Sequence, residues 1–135
     1  MAEAAQFERP ADTPFDRHAL RRALGAFATG VTIVTGRDAN RAPVGFTANS
    51  FTSVSLDPPL VLACIGAGAA SYAAFRGADA FAVNILTAGQ RDLAMRFATR
   101  GADKFAGGAW ETRATGAPVL ADSAAWFDCA AHQTL

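Results

Sequence analysis

Pro43-Val44-Gly45-Phe46-Thr47-Ala48-Asn49-Ser50-Phe51-Thr52-Ser53-Val54-Ser55-Leu56-Asp57-Pro58-Pro59-Leu60 is the stretch from which the rest of the chain is read. Between Arg41 and Asp57 it holds no charged residue, yet it carries the hydroxyls of Thr47, Ser50, Thr52, Ser53 and Ser55 and the amide of Asn49. Many neutral donors in one extended segment suit a polar, electron-rich ligand held by hydrogen bonds rather than ion pairs. Composition alone also fits an ordinary strand, because hydroxyl residues are common on half-exposed strands. Asp57-Pro58-Pro59 closes the segment. Each proline fixes its own φ and restricts the residue before it, so a non-helical corner follows.

Working outward, Val31 to Thr35 is a β-branched run and reads as a strand. Gly36 to Arg41 is a polar turn, and the two make a hairpin with Ala42 to Ala48, where Pro43 sits at a tolerated strand start. Asn49 to Leu56 continues extended. Upstream, Thr13 as N-cap, Pro14 at the first helical position and Asp16 closing a capping box predict a helix ending at Gly30. Leu20, Leu24 and Phe27 recur at helical spacing and are expected in the core, with Arg17, Arg21 and Arg22 solvated. Residues 1 to 12 read as a flexible arm, and 13 to 135 as one domain.

Downstream, Leu60 to Ile65 is apolar throughout and reads as a strand buried on both faces. Gly66 to Ala70 is a turn, and Ser71 can cap a short helix carrying Tyr72 and Phe75. Ala80 to Leu86 alternates Phe81, Val83 and Ile85 on one face, as a strand does. Thr87-Ala88-Gly89-Gln90 is a capping box opening a helix with Leu93 and Phe97, which Gly101 ends. After a loop from Ala102 to Gly108, Trp110 to Thr112, Val119-Leu120 and Ala124 to Ala131 are strand-like. Strands outnumber helices, and the helices are inserted between strands rather than alternating with them. That pattern predicts an antiparallel sheet or barrel with peripheral helices.

Of the 135 residues 51% are apolar and 18% charged, and the formal net charge is zero. No basic excess points to nucleic acid, and no polybasic run to an anionic membrane surface. Cys64 and Cys129 read as buried free thiols of a cytoplasmic protein rather than a disulfide. His18 and His132 lack metal-ligand spacing, so no metal is expected. Pro58 to Phe75 is uncharged, but its prolines and the breaks at Gly66 and Gly68 argue against a membrane span. Met1 to Pro14 has no signal-peptide pattern.

The run from Gly45 to Leu60, with its Leu56-Asp57-Pro58-Pro59 ending, resembles the signature of the short-chain flavin reductase family. These are the reductase components of two-component flavin-dependent monooxygenases. The likeness extends from about Arg22 to the last residue. It implies a mainly β fold with peripheral helices, an FMN-binding split β-barrel. It also implies hydride transfer from NADH or NADPH to N5 of FMN or FAD, reduced flavin passed to a separate monooxygenase, and a homodimer with the pocket near its two-fold axis.

On the matching positions, Thr47, Ala48, Asn49 and Ser50 lie along the ring and ribityl chain, and Ser53, Cys64 and Ile65 line the same pocket. Ser71 falls near the phosphate, Phe97 beside the flavin, and Lys104 near the phosphate or the pyrimidine edge. The residues themselves leave plainer roles open: a helix cap for Ser71, core packing for Phe97, a solvated loop lysine for Lys104. No Ser-His-Asp set, carboxylate pair or P-loop appears, which is consistent with hydride transfer aligned by the protein, so no general acid or base is assigned. Family members continue past the last strand into a Gly-Asp-His turn and a closing strand. Neither is in this sequence, His132 is not in the matching context, and a barrel without its closing strand is expected. A flavin-binding protein without turnover, and a dimer holding no cofactor, are the rival readings.

Overall fold

A computed structural model describes residues 14–135; the expected arm over 1–12 and the expected N-cap Thr13 lie outside the described residues. The β-branched run does form a strand, β1 (Thr32–Arg37), which returns antiparallel as β2 (Pro43–Ala48) with Val34 opposite Phe46. The turn between them is built by Asp38, whose Oδ1 accepts from the backbone N–H groups of Asn40 and Ala42 at 2.9 Å each. Such an Asx turn replaces ladder bonds where the chain reverses.

Beyond Ala48 the extended run breaks. Asn49 to Phe51 step out of β2, and β3 (Thr52–Leu56) pairs with β4 (Pro59–Leu62) in a separate two-stranded sheet around the cis Asp57–Pro58 bond. This corrects the expectation of a strand over Leu60 to Ile65 buried on both faces. β4 is shorter and half exposed, because its sheet has only two strands and no third neighbour to cover it.

The main sheet is completed by β5 (Ala80–Ile85) and β8 (Ala125–Ala130), in the order β2-β1-β5-β8, with every pairing antiparallel. A third small sheet joins β6 (Trp110–Thr112) to β7 (Pro118–Leu120). The core lies where β1 and β5 meet these neighbours: Ile33, Val34, Ala82, Val83, Val119 and Leu120 are all buried. A polar clasp ties them. Buried Asn84 donates from Nδ2 to the Ile33 carbonyl at 2.9 Å, and its Oδ1 accepts from the Leu120 N–H at 2.8 Å. Both ends of the amide are satisfied, so burying it carries no desolvation penalty left unmet.

Helices sit at the periphery. α1 (Arg17–Gly25) starts at Asp16, which accepts from the His18 N–H at 2.8 Å, and ends well before Gly30, correcting both expected boundaries. Its apolar stripe is also corrected. No residue of α1 is buried, and Leu20, Leu24 and Phe27 are 47%, 64% and 77% exposed, because no layer of the described chain lies over that face. α2 (Tyr72–Arg76) follows Ser71. The Thr87–Gln90 capping box forms as expected and leads through a short 3-10 turn into α3 (Arg91–Phe97). α3 stops at Phe97 rather than at Gly101, which lies in the next turn at φ +74°. Cys64 is exposed rather than buried, since β4 ends before it; Cys129 is half-buried, and both are free thiols. Among the described residues no helix is long and apolar enough to cross a membrane.

Candidate functional site

One cavity of about 430 Å³ gathers what the sequence scatters. The end of β2 supplies Thr47 and Ala48, with Asn49 and Ser50 beyond it. Cys64 and Ile65 come from the chain leaving β4, Ser71 from the start of α2, and Phe97 and Lys104 from α3 and the loop after it. Of the site residues expected from the sequence, Ser53 alone does not line the cavity. It stands on exposed β3, because the break at Asn49 to Phe51 puts β3 into a different sheet.

The hydroxyls do not all face the cavity. Thr47 donates to the Ala94 carbonyl and pins α3 against β2. Ser50 donates to the Cys64 carbonyl at 3.1 Å and accepts from the Cys64 N–H at 3.0 Å, clipping the two walls together. Thr99 donates to the Met95 carbonyl at 2.8 Å. These groups shape the cavity more than they could grip a ligand. Asn49 is exposed, and its amide makes no side-chain hydrogen bond among the described residues. Ser71 occupies the cap position of α2 without using its hydroxyl there. Asn49 and Ser71 are therefore the lining residues whose neutral side-chain donors stay unengaged among the described residues.

Phe97 forms a hard wall. It is 2% exposed, and its ring packs edge-on to Phe105 at 5.1 Å and against Trp110 at 5.5 Å between centroids. On the other side it lies on the bare backbone of Gly45. A Cβ there would stand 2.7 Å from Phe97 Cε1 and 3.0 Å from the Val34 carbonyl oxygen, so no side chain fits without movement. Glycine at position 45 is required by this close approach.

Arg100 is a lining residue that reading the sequence missed. It donates to the Gly68 carbonyl at 2.6 Å and so fixes the glycine turn while bringing a guanidinium to the cavity. The signal was present: a second cation shortly before Lys104, in a chain whose ligand segment carries no charge. Arg100 and Lys104 both line the cavity, and no carboxylate does. The local field therefore favours an anionic group.

Residues 24–135 match the flavin reductase like domain. The chain is 49% identical over 121 residues to the stachydrine N-demethylase reductase subunit Stc3 of Rhizobium meliloti (strain 1021), a match covering 90% of this chain and 53% of that protein. It is 45% identical over 125 residues to an NADH-dependent FAD reductase of Streptomyces globisporus, covering 89% and 68%. The structure of the Streptomyces globisporus C-1027 NADH:FAD oxidoreductase SgcE6, in complex with NAD and FAD fragments, is similar with a TM-score of 0.81 at 45% identity, over 87% of this chain and 71% of that one. This chain thus spans about half the length of the Rhizobium subunit. A family match over most of the chain, and a fold likeness at this level of identity, place it: the chain belongs to the flavin reductase like domain family.

Proposed function

We propose that the chain is an NAD(P)H-dependent flavin reductase, and that the cavity at the end of β2 holds the flavin. The observation that carries this is the charge pattern: an uncharged wall with free donors at Asn49 and Ser71, joined by two cations and no carboxylate. A flavin nucleotide has the same division, with a neutral ring and ribityl chain ending in a phosphate. Bound there, the flavin supplies a ring nitrogen able to accept hydride from the nicotinamide. The chain supplies alignment. Phe97 and Gly45 fix one wall, the Ser50–Cys64 clip fixes the distance between the strands, and Arg100 and Lys104 offset the phosphate charge. Thr47, Ala48, Cys64 and Ile65 shape the ring and ribityl part. Ser53 is left out of that set.

The reductase names of the relatives favour turnover over a storage or sensing role, and reduced flavin is then handed to a separate monooxygenase. The direct test is nicotinamide oxidation by the full chain with and without added FMN or FAD. Oxidation only with flavin is expected; flavin binding without it would favour the storage reading. A cytoplasmic setting goes with a nicotinamide nucleotide as reductant.

The assembly follows from exposed apolar surface. The α1 stripe and the β3–β4 hairpin, where Val54 and Leu56 are 58% and 91% exposed, have no cover among the described residues. A two-stranded hairpin is marginal alone, and apolar faces of this kind mark contact surfaces. Residues 13 to 135 then form one split-barrel domain of a homodimer. Light scattering at micromolar concentration is expected to give twice the chain mass; a monomer would remove the dimer.

A further inference from the structure

The end of α3 and the turn after it reach three walls of the flavin cavity. The Ala94 carbonyl accepts from the Thr47 hydroxyl of β2. Arg100 holds the glycine turn at Gly68. Arg96, between them in sequence, holds the third wall. It is half-buried and does not line the cavity, and its Nη1 donates to the Ala106 carbonyl at 2.8 Å. Among the described residues no other side chain hydrogen-bonds into residues 101–108.

That loop carries Lys104, the cation offered to the ligand. Gly101 and Gly107, on either side of it, stand at φ +74° and +68°, a conformation glycine adopts freely among many others. The local sequence therefore does not by itself hold Lys104 at the cavity. Contacts directly after Lys104 do. The Phe105 ring lies 5.1 Å from Phe97 and 4.8 Å from Trp110 between centroids. The next residue, Ala106, is held through its carbonyl by Arg96. Arg96 and Phe97 are neighbours on α3, so one helix end grips the loop through a polar and an apolar contact at successive residues. A ring contact tolerates changes of direction. A guanidinium on a carbonyl is directional, and so it fixes the path of the backbone beside Lys104.

We propose that Arg96 is a positioning residue for Lys104: by holding the Ala106 carbonyl it keeps the Lys104 ammonium at the phosphate end of the flavin cavity without touching the ligand. The inference rests on the flavin reading of that cavity. Arg96 then governs affinity for the phosphate and not for the ring, whose walls at Gly45, Ser50 and Phe97 have their own supports.

The test measures dissociation constants of FMN, and of riboflavin, which lacks the phosphate, by flavin fluorescence on the full chain, with melting temperatures alongside. Arg96→Gln should weaken FMN binding about threefold or more, as for a displaced charge-assisted contact, and leave riboflavin unchanged. Arg96→Lys keeps the charge and a donor and should recover part of that loss; if Arg96→Gln does not fold, it carries the same comparison of FMN with riboflavin. Combined with Lys104→Gln, Arg96→Gln should add nothing to the loss from Lys104→Gln alone, because the brace has no ammonium left to position. Arg91→Gln removes an equal charge from an exposed position of the same helix and should change neither constant. Parallel losses of FMN and riboflavin would overturn the proposal, since they would make Arg96 a support of the whole cavity. Additive effects with Lys104→Gln, an equal loss in Arg96→Lys or in Arg91→Gln, or no loss at Arg96 would overturn it too and leave the flavin cavity standing. Wild type binding neither flavin would strike the flavin reading itself, and this proposal with it.

Discussion

Gly45→Ala is the most informative small change in the molecule. The new methyl would meet Phe97 Cε1 at 2.7 Å and the Val34 carbonyl at 3.0 Å. The carbonyl belongs to the neighbouring strand of the sheet and cannot retreat without disturbing the β1–β2 ladder. Phe97 cannot retreat into the protein either, because Phe105 and Trp110 close its other sides. The ring must therefore move toward the cavity. Overpacking of this kind costs about 1–3 kcal/mol, offset in part by about 0.4–1 kcal/mol from the smaller conformational freedom of alanine in the unfolded chain. We expect a net loss of about 1–2 kcal/mol in urea unfolding and a weakening of flavin binding by roughly tenfold, as the wall intrudes on the ring. Phe97→Leu in the same chain should relieve part of the clash. A double-mutant cycle on stability should then show a favourable coupling of about 1 kcal/mol. A Gly45→Ala protein with wild-type stability and flavin affinity, or strictly additive effects with Phe97→Leu, would refute the reasoning.

Three further outcomes follow from neighbouring contacts. Asn49→Ala should weaken flavin binding by about 1 kcal/mol with an unchanged melting temperature, because its amide makes no hydrogen bond within the described chain. Ser50→Ala should instead lower the melting temperature, since it releases both backbone groups of Cys64; equal thermal effects of the two would contradict the assignment. The Cys129 thiol is pushed up to about 11, first by burial and second by the Asp128 carboxylate. The fold thus retains a proton that the unfolded chain loses, so stability is flat below pH 9 and falls as pH rises toward 11. The loss is about 1 kcal/mol for a group this accessible. Wild type and Cys129→Ala compared by chemical unfolding should differ in slope only across that window, and an identical slope would count against it.

Much of this architecture is legible in the chain. The β1–β2 hairpin follows from a β-branched run and a polar turn, and the Thr87–Gln90 box forms as its spacing requires. Ser71, Phe97 and Lys104, far apart in sequence, do meet at one cavity with the end of β2. What a hydroxyl does there was less legible. Thr47 points at α3, a partner that arrives only in the tertiary fold, and Ser50 at a backbone from another strand. Neither partner leaves a local sequence mark. Ser53, placed with the pocket by the family resemblance, stands on β3 in a separate sheet and does not line this cavity, because β2 ends before β3 begins. Periodicity shows that Leu20, Leu24 and Phe27 share a face of α1, but not whether this chain covers that face.

Whether this cavity holds flavin during turnover can be read from Lys104. Its ammonium lines the cavity and makes no hydrogen bond or ion pair among the described residues, so changing it should disturb binding and leave the fold intact. The measurement is NADH oxidation against flavin concentration for wild type and Lys104→Gln. The account predicts flavin-dependent oxidation in both, with KM for flavin raised roughly three- to tenfold in the variant, kcat little changed and the melting temperature unmoved. An unchanged KM, or a wild type that oxidises NADH no faster with flavin than without, would contradict it.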